Sequence, residues 1–454
     1  MATTLTTTPV ATPSHWGRTL RDAVTSPTVW FWIVSRAIAL WLFIGPEHYV
    51  TGDVKYYQES LDQLGAHGIG HTLVEYPVPA LLLLGIPYWL LQLVGAASHY
   101  VTAIAVCAIS IDAVFLFFLL HARRWATPAK QVLGATPAEW VWILAVPALG
   151  ATAYARFDLI PGVLVGLAVL YAAHRPGSAA FFGSLATSVK YWPALVLPAF
   201  AAPQSSRRKV ITVIAVSGLA LAALSAQLGG WHRLFSPFSF ERTRGLQIES
   251  VAATPAMIGW AWQPWKYLTF YSESNAYEVW GGVTHTMLRV SDVAMAALAV
   301  ALVVLWARAW AVLRTPDSPR AIDGLTWLLL ASVSGFIATG KVFSPQYLLW
   351  LLPAAAAGLT VIRDAAARRQ LGWWSALLVV ATAATHVEFP ARYGLLLEHH
   401  PGTKALVVLL AARNGTVLLL FIVAIMAAAD ALWRKPIRPT HPAAEPEETA
   451  QPQT

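Results

Sequence analysis

A small set of ionisable and polar residues recurs beside aromatics and prolines along this chain. Asp53 opens the stretch TGDVKYYQES, with Lys55, Tyr56 and Tyr57 behind it, and Glu75 lies in VEYPVPA. Arg156 and Asp158 share YARFDLIPG, and Lys190 and Trp192 share SVKYWPAL. Arg242, Arg244, Gln247 and Glu249 share ERTRGLQIES, and Lys341, Gln346 and Tyr347 follow in GKVFSPQYLLW. Carboxylates of this kind take a proton from a hydroxyl, and grouped lysines and arginines neutralise a phosphate. In EYP, KYWP and FSPQY a proline follows a polar residue and an aromatic or serine. Proline suits the first helical turn and Ser344 suits an N-cap. Such helix starts present free N–H groups and a positive dipole end, which also favours a phosphate. Arg244 and Gln247 are three apart, so a helix would carry both on one face.

Each of these residues has a plainer reading. Proline beside Tyr or Trp is ordinary interfacial punctuation, and Arg156 with Asp158 can form a structural ion pair. Lys190 can snorkel to the interface, and Asp53 can be a solvated loop residue. Asp112, midway in an apolar run, reads as a satisfied packing group, and His121 and His174 as loop histidines. His285, His386, His399 and His400 show no metal-ligand spacing beside a carboxylate. No metal and no cofactor is expected.

The elements that must position these groups are apolar. Of 454 residues, 57% are hydrophobic and 12% charged, and the mean hydropathy is +0.56. Soluble domains carry roughly 25% charged residues. Apolar segments fall near 28–46, 77–97, 100–121, 139–154, 158–174, 178–201, 209–228, 291–313, 323–339, 345–362, 373–388 and 404–433. Many match the ~20 residues that cross ~30 Å of hydrocarbon. An all-α polytopic membrane protein with about 11–12 transmembrane helices is expected. The net charge of +8 sits in short loops such as HARRWATPAK, QSSRRK, RTPDSPR and RDAAARRQ, which is the pattern of cytoplasmic loops rather than of nucleic-acid binding. Cys107, the single cysteine, lies in an apolar run and provides no disulfide frame.

Residues 1–27 lack an apolar core followed by a cleavage site, and 434–454 have the composition of a disordered tail; both read as cytoplasmic. Two long stretches, 47–76 and 229–289, read as outer loops holding re-entrant or interfacial helices. Alternating the loops across the membrane leaves a parity conflict, resolved if 77–97 and 178–201 each enter and leave on one side. Half-spans of that kind line cavities. The scarce ionic groups then converge on the outer face.

Read together, GDVKYYQ, EYPVPALLL, RFDLIPGVLVGLAVL, SLATSVKYWPALVLPAF, RGLQIES and GKVFSPQYLLWLLPAA resemble the polytopic GT-C glycosyltransferases, and within them glycosyltransferase family 87. That family includes mycobacterial α-1,2-mannosyltransferases of phosphatidylinositol mannoside synthesis and an arabinofuranosyltransferase. The resemblance covers residues 51–353; the C-terminal third carries little of it. It implies a GT-C fold, a polyprenyl-phosphate sugar donor, a lipid-linked glycan acceptor and inversion at the extracytoplasmic face of the cell membrane. Asp53 matches the loop carboxylate that acts as base. Lys190, Arg244, Lys341 and Arg156 become candidates for the donor phosphate. Glu75, Asp158, Gln247, Glu249, Gln346, Tyr347, Tyr56, Tyr57 and Trp192 become candidates for the sugars or lipid chain. Mannose is the first expectation and arabinofuranose the second; a lipid-linked sugar transporter or flippase is the rival from another class.

Overall fold

Proline and glycine punctuate the apolar runs, and the helices begin and end there. The computed structural model describes residues 26–126 and 128–434; the expected disordered ends, 1–25 and 435–454, lie outside the described residues. Helix α1 (Pro27–Ile44) is followed by α2 (Gly52–Asp62), α3 (Val78–Leu93) and α4 (Tyr100–Ala122). Three short helices come next: α5 (Pro137–Leu149), α6 (Leu159–Ala172) and α7 (Pro176–Val189). A long α8 (Arg207–Gly229) leads to α9 (Ser236–Thr243) and α10 (Thr254–Trp262). An antiparallel hairpin, β1 (Tyr267–Tyr271) and β2 (Tyr277–Gly281), precedes α11 (Thr284–Val312). The chain closes with α12 (Pro319–Thr339), α13 (Leu352–Val361), α14 (Ala365–His386) and α15 (Thr403–Trp433).

Six described helices are long and apolar enough to cross a membrane: α1, α4, α8, α11, α12 and α15. The fold is thus that of a helical membrane protein. To its helices the 229–289 stretch adds one two-stranded hairpin. Segment 178–201 turns near Lys190, as expected, and 345–362, expected as one span, is also broken. After α7 the chain turns at Lys190 and returns through a 3-10 turn, Trp192–Val196, and one helical turn, Leu197–Phe200, which pack back on Gly183. Segment 345–362 likewise starts as a 3-10 turn, Pro345–Trp350, before α13. Prolines 193, 198, 345 and 353 account for both breaks, since each removes an N–H donor that a continuous helix would use.

The ends of the bundle differ in chemistry. One gathers the basic loops: Arg123 bonds Thr28 and the Gly134 carbonyl, Arg207 the Trp310 carbonyl, and Arg320 the Leu432 carbonyl. Toward the other lie the stretches expected outside: Tyr49 bonds the Pro390 carbonyl, Arg233 the Thr72, Leu73 and Tyr76 carbonyls, and Gln247 the Phe343 amide. Segment 77–97 does not turn back on itself: α3 runs unbroken from Val78 to Leu93 with Pro87 inside it.

Helix length decides where the floor of this second end lies. Helices α5, α6 and α7 have 13, 14 and 14 residues, about 20 Å each at ~1.5 Å per residue. Hydrocarbon is ~30 Å thick, so these helices, which Asp158 and Lys190 flank, are about 10 Å shorter than a full span. Close packing holds this floor together. A side chain at Gly162 would put its Cβ 2.3 Å from the Leu349 carbonyl oxygen, so only glycine lets α6 meet the 3-10 turn there.

Candidate functional site

Asp53 sits in the first turn of α2, with its side chain 42% exposed. Its Oδ2 lies 2.8 Å from the Arg156 Nε, an ionic contact in which the N–H is not aimed along a hydrogen-bond axis. Arg156 is buried and fixed by the carbonyls of Val50, at 3.3 Å, and Ala155, at 3.1 Å. Two residues on, Asp158 accepts from the Lys190 Nζ and from the Trp350 indole N–H, both at 2.7 Å. Arg156 and Asp158 are therefore not a pair with each other; each takes its partner from a distant stretch. Lys190 does not snorkel. Its ammonium lies 5.2–5.7 Å from the ring centres of Tyr76, Phe157, Tyr347 and Trp350, an aromatic cage around a neutralised charge.

Stacked rings continue this floor. Tyr347 stacks on Trp350 at 3.8 Å, and Trp192 stacks on its indole at 4.9 Å. Gln346 is half-buried in the same 3-10 turn. Tyr57 is a correction: it is 1% exposed, packed between Tyr76 and Phe157, and so offers no surface to a sugar or a lipid chain. Tyr56 is half-buried and donates to Glu75 Oε1 at 3.0 Å. Burial raises the Glu75 carboxyl above its ordinary range, and burial together with that carboxylate raises the Tyr56 phenol.

The stretch from Arg244 to Glu249 closes one side. It is not helical, as α9 ends at Thr243 and Gln247 forms a strand-like bridge to Glu278. Arg244 and Gln247 therefore do not share a helical face. Gln247 instead pins the next stretch: its backbone N–H donates to the Lys341 carbonyl at 3.1 Å and its Oε1 accepts from the Phe343 N–H at 2.8 Å. Ser344 is no side-chain cap; its Oγ accepts from the Gln247 Nε2 at 3.4 Å. Arg244 contacts Glu241 at 3.1 Å; burial opposes its charge, but that carboxylate outweighs it and raises the pKa. Lys341 donates to the Arg242 carbonyl at 3.2 Å. Neither KYWP nor FSPQY begins an α-helix, so the expected helix-end anion sites are absent at those positions.

A continuous set of contacts thus joins the sequence-predicted residues. It runs from Asp53 to Arg156, then from Asp158 to Lys190 and on to Tyr347, whose phenol lies in electrostatic reach of Arg244. Glu249 is 1% exposed, accepts from Gln247 Nε2 at 3.0 Å and from the Tyr393 phenol at 3.3 Å, and burial pushes its carboxyl up to about 8, with Arg413 opposing.

Other ionic groups escaped the sequence reading. Arg413 on α15 holds Glu388 at 2.6 Å, with its guanidinium 4.2 Å from the Phe343 ring centre. Arg36 and Asp112 pair at 2.7 Å in the middle of α1 and α4, and Asp112 also accepts from Trp32 and Tyr154. Asp112 is thus a satisfied packing group, as expected, but its partner was missed. His386 bonds Glu47 at 2.5 Å; burial alone would raise the Glu47 carboxyl, but this bond and the Ala151 N–H bring it below its ordinary range. The available signal was a lone opposite charge in each of two apolar runs, SRAIAL and SIDAVF. No group of three or more His, Cys, Asp or Glu side chains with metal-ligand placement occurs among the described residues.

Comparison with protein-family models, with curated proteins and with solved structures finds no match to this chain.

Proposed function

We propose that the protein is a membrane glycosyltransferase that moves a sugar, mannose in the first instance, from a polyprenyl phosphate to a lipid-linked acceptor. The observation that carries this reading is a juxtaposition: a partly open carboxylate, Asp53, on a buried guanidinium, Arg156, two residues from the Asp158–Lys190 pair. Transfer needs little else. The acceptor hydroxyl gives its proton to an Asp53 oxygen as its own oxygen bonds the anomeric carbon, and the bond from that carbon to the phosphate oxygen breaks. The configuration inverts, because base and leaving group lie on opposite sides of the sugar. The phosphate leaves as an anion and requires fixed positive charge, each well-placed donor contributing ~2.7–4 kcal/mol.

Geometry reorders the candidates for that charge. Lys190 is already neutralised by Asp158 and so holds the floor, while Arg156 orients Asp53. Lys341, which donates to a carbonyl rather than a carboxylate, is better placed to face a phosphate, whereas Arg244 is held by Glu241 much as Lys190 is by Asp158. Glu75, Gln346 and Tyr56 remain for sugar hydroxyls.

The transporter reading draws on one observation, the Arg36–Asp112 pair at mid-membrane. Both side chains are 3% exposed or less and every charged oxygen of Asp112 is bonded, so the pair lines no path. The deciding experiment supplies purified protein in nanodiscs with radiolabelled polyprenyl-phosphate mannose and, separately, the arabinose donor. Label should pass to lipid acceptor with wild type and not with Asp53→Asn. Equal label transfer by both proteins would overturn the base assignment, and none from either donor would overturn the class.

A further inference from the structure

The hairpin has an outward face that the site does not use. Leu268 and Trp280 are direct cross-strand partners, 57% and 66% exposed, and Trp265 just before β1 is 77% exposed. The inward face is different: Val279, 2% exposed, packs with Leu246, Ile248 and Met257. A two-stranded ribbon buries one face by alternation, and a large aromatic patch on the other marks an interaction surface.

Three features identify what covers it. The patch is continuous with α11, which begins three residues after β2 and leaves Val290, Val293 and Val300 exposed along an apolar membrane-length helix. Tryptophans dominate it, and indoles concentrate where hydrocarbon meets headgroups. Lysines also flank it: Lys266 is exposed beside Trp265, and the Lys404 ammonium lies 5.7 Å from the Trp262 ring centre. Long lysines beside a Trp belt keep their stems in the apolar layer and their charges at lipid phosphates.

We propose that this hairpin docks into the lipid bilayer on the site side, with Trp265, Leu268 and Trp280 at the headgroup–acyl boundary. Lys266 and Lys404 then lie at the level of the lipid phosphates. At the far end of β1, Tyr271 is within electrostatic reach of Asp53. One end of the ribbon thus faces lipid and the other lies toward Asp53. Its value to a lipid-anchored substrate rests on the glycosyltransferase reading; the docking itself does not.

Environment-sensitive fluorescence tests the docking without an activity assay. In a full-length Cys107→Ser background, Leu268→Cys, Trp280→Cys and, at the exposed turn, Glu273→Cys are each labelled with a nitrobenzoxadiazole probe in phosphatidylcholine nanodiscs. Probes at 268 and 280 should emit blue-shifted light, be quenched several-fold more by doxyl-labelled lipid than the probe at 273, and resist aqueous iodide. Iodide quenching at 268 and 280 equal to that at 273 would overturn the proposal by placing the face in water. Protection from both quenchers would overturn it in favour of a covering protein or second copy.

Discussion

The two ends of the bundle use their ionic groups in different ways. At the basic end, arginines donate mainly to backbone carbonyls: Arg207 to Ala201, Ala202 and Trp310, Arg320 to Ala431 and Leu432, and Arg308 to Leu432. These carbonyls lie at helix ends, where unsatisfied C=O groups and a negative dipole attract cations. Around the recess, side chains of opposite sign pair with each other instead: Asp53 with Arg156, Asp158 with Lys190, Glu388 with Arg413. Each end has exceptions: Arg123 pairs with Glu139 and Arg434 with Asp430 at one, and Arg233 and Lys341 donate to carbonyls at the other. The difference is one of interdependence. A carbonyl deprived of its arginine can bind water, whereas a buried carboxylate deprived of its cation is left charged in a medium that penalises it.

That contrast is sharpest at Asp53. Asp53→Asn should lower sugar transfer by about 10²–10⁴-fold, the usual contribution of a general base. Asp53 is partly exposed and Arg156 keeps two carbonyl bonds, so thermal unfolding should change little. A collapse of stability with transfer retained would make Asp53 a structural partner of Arg156 rather than a base. Next in size is the mid-membrane pair: Asp112→Ala strands a buried Arg36 and should cost about 3–5 kcal/mol, read as a large fall in unfolding temperature in detergent. A change within the error of the measurement would show the pair to be dispensable.

Glu249 offers a pH test of the same idea. Its carboxyl is held at about 8 against an ordinary 4.5, so the folded chain keeps a proton that the unfolded chain releases in that interval. Stability from this group is complete below 4.5, falls as pH rises, and levels off above about 8. Unfolding temperatures of wild type and Glu249→Gln across that range should diverge in slope, with the variant flatter; parallel curves would refute the assignment. The smallest effect belongs to the basic end. Arg320→Ala, which removes bonds to two carbonyls from a half-exposed side chain, should cost about 1 kcal/mol and leave transfer unchanged. Lost transfer in that variant would erase the distinction between the ends.

Much of the fold was legible because membrane-length apolar runs announce themselves, and all six membrane-length helices fall in predicted segments. Asp53, Arg156, Asp158 and Lys190 were legible as costly charges beside Pro and aromatic residues. Their pairing was not, because each partner comes from a stretch far along the chain, 103 residues away for Asp53 and Arg156 and 32 for Asp158 and Lys190. The hairpin was missed for a local reason. YLTFY and YEVWG alternate weakly, and the aromatics that mark strands also mark interfacial helices. Arg413 and Arg36 were missed because they sit inside runs read only for length.

The short floor helices also carry an electrical consequence. Helices α5, α6 and α7 leave about 20 Å of protein between the Asp158–Lys190 pair and the basic end, a third less than the ~30 Å of a full membrane. Moving one unit charge through that missing third would cost ~0.8 kcal/mol at 100 mV. An anionic headgroup brought to this floor would cross no more of the field than that, so turnover should depend only weakly on membrane potential.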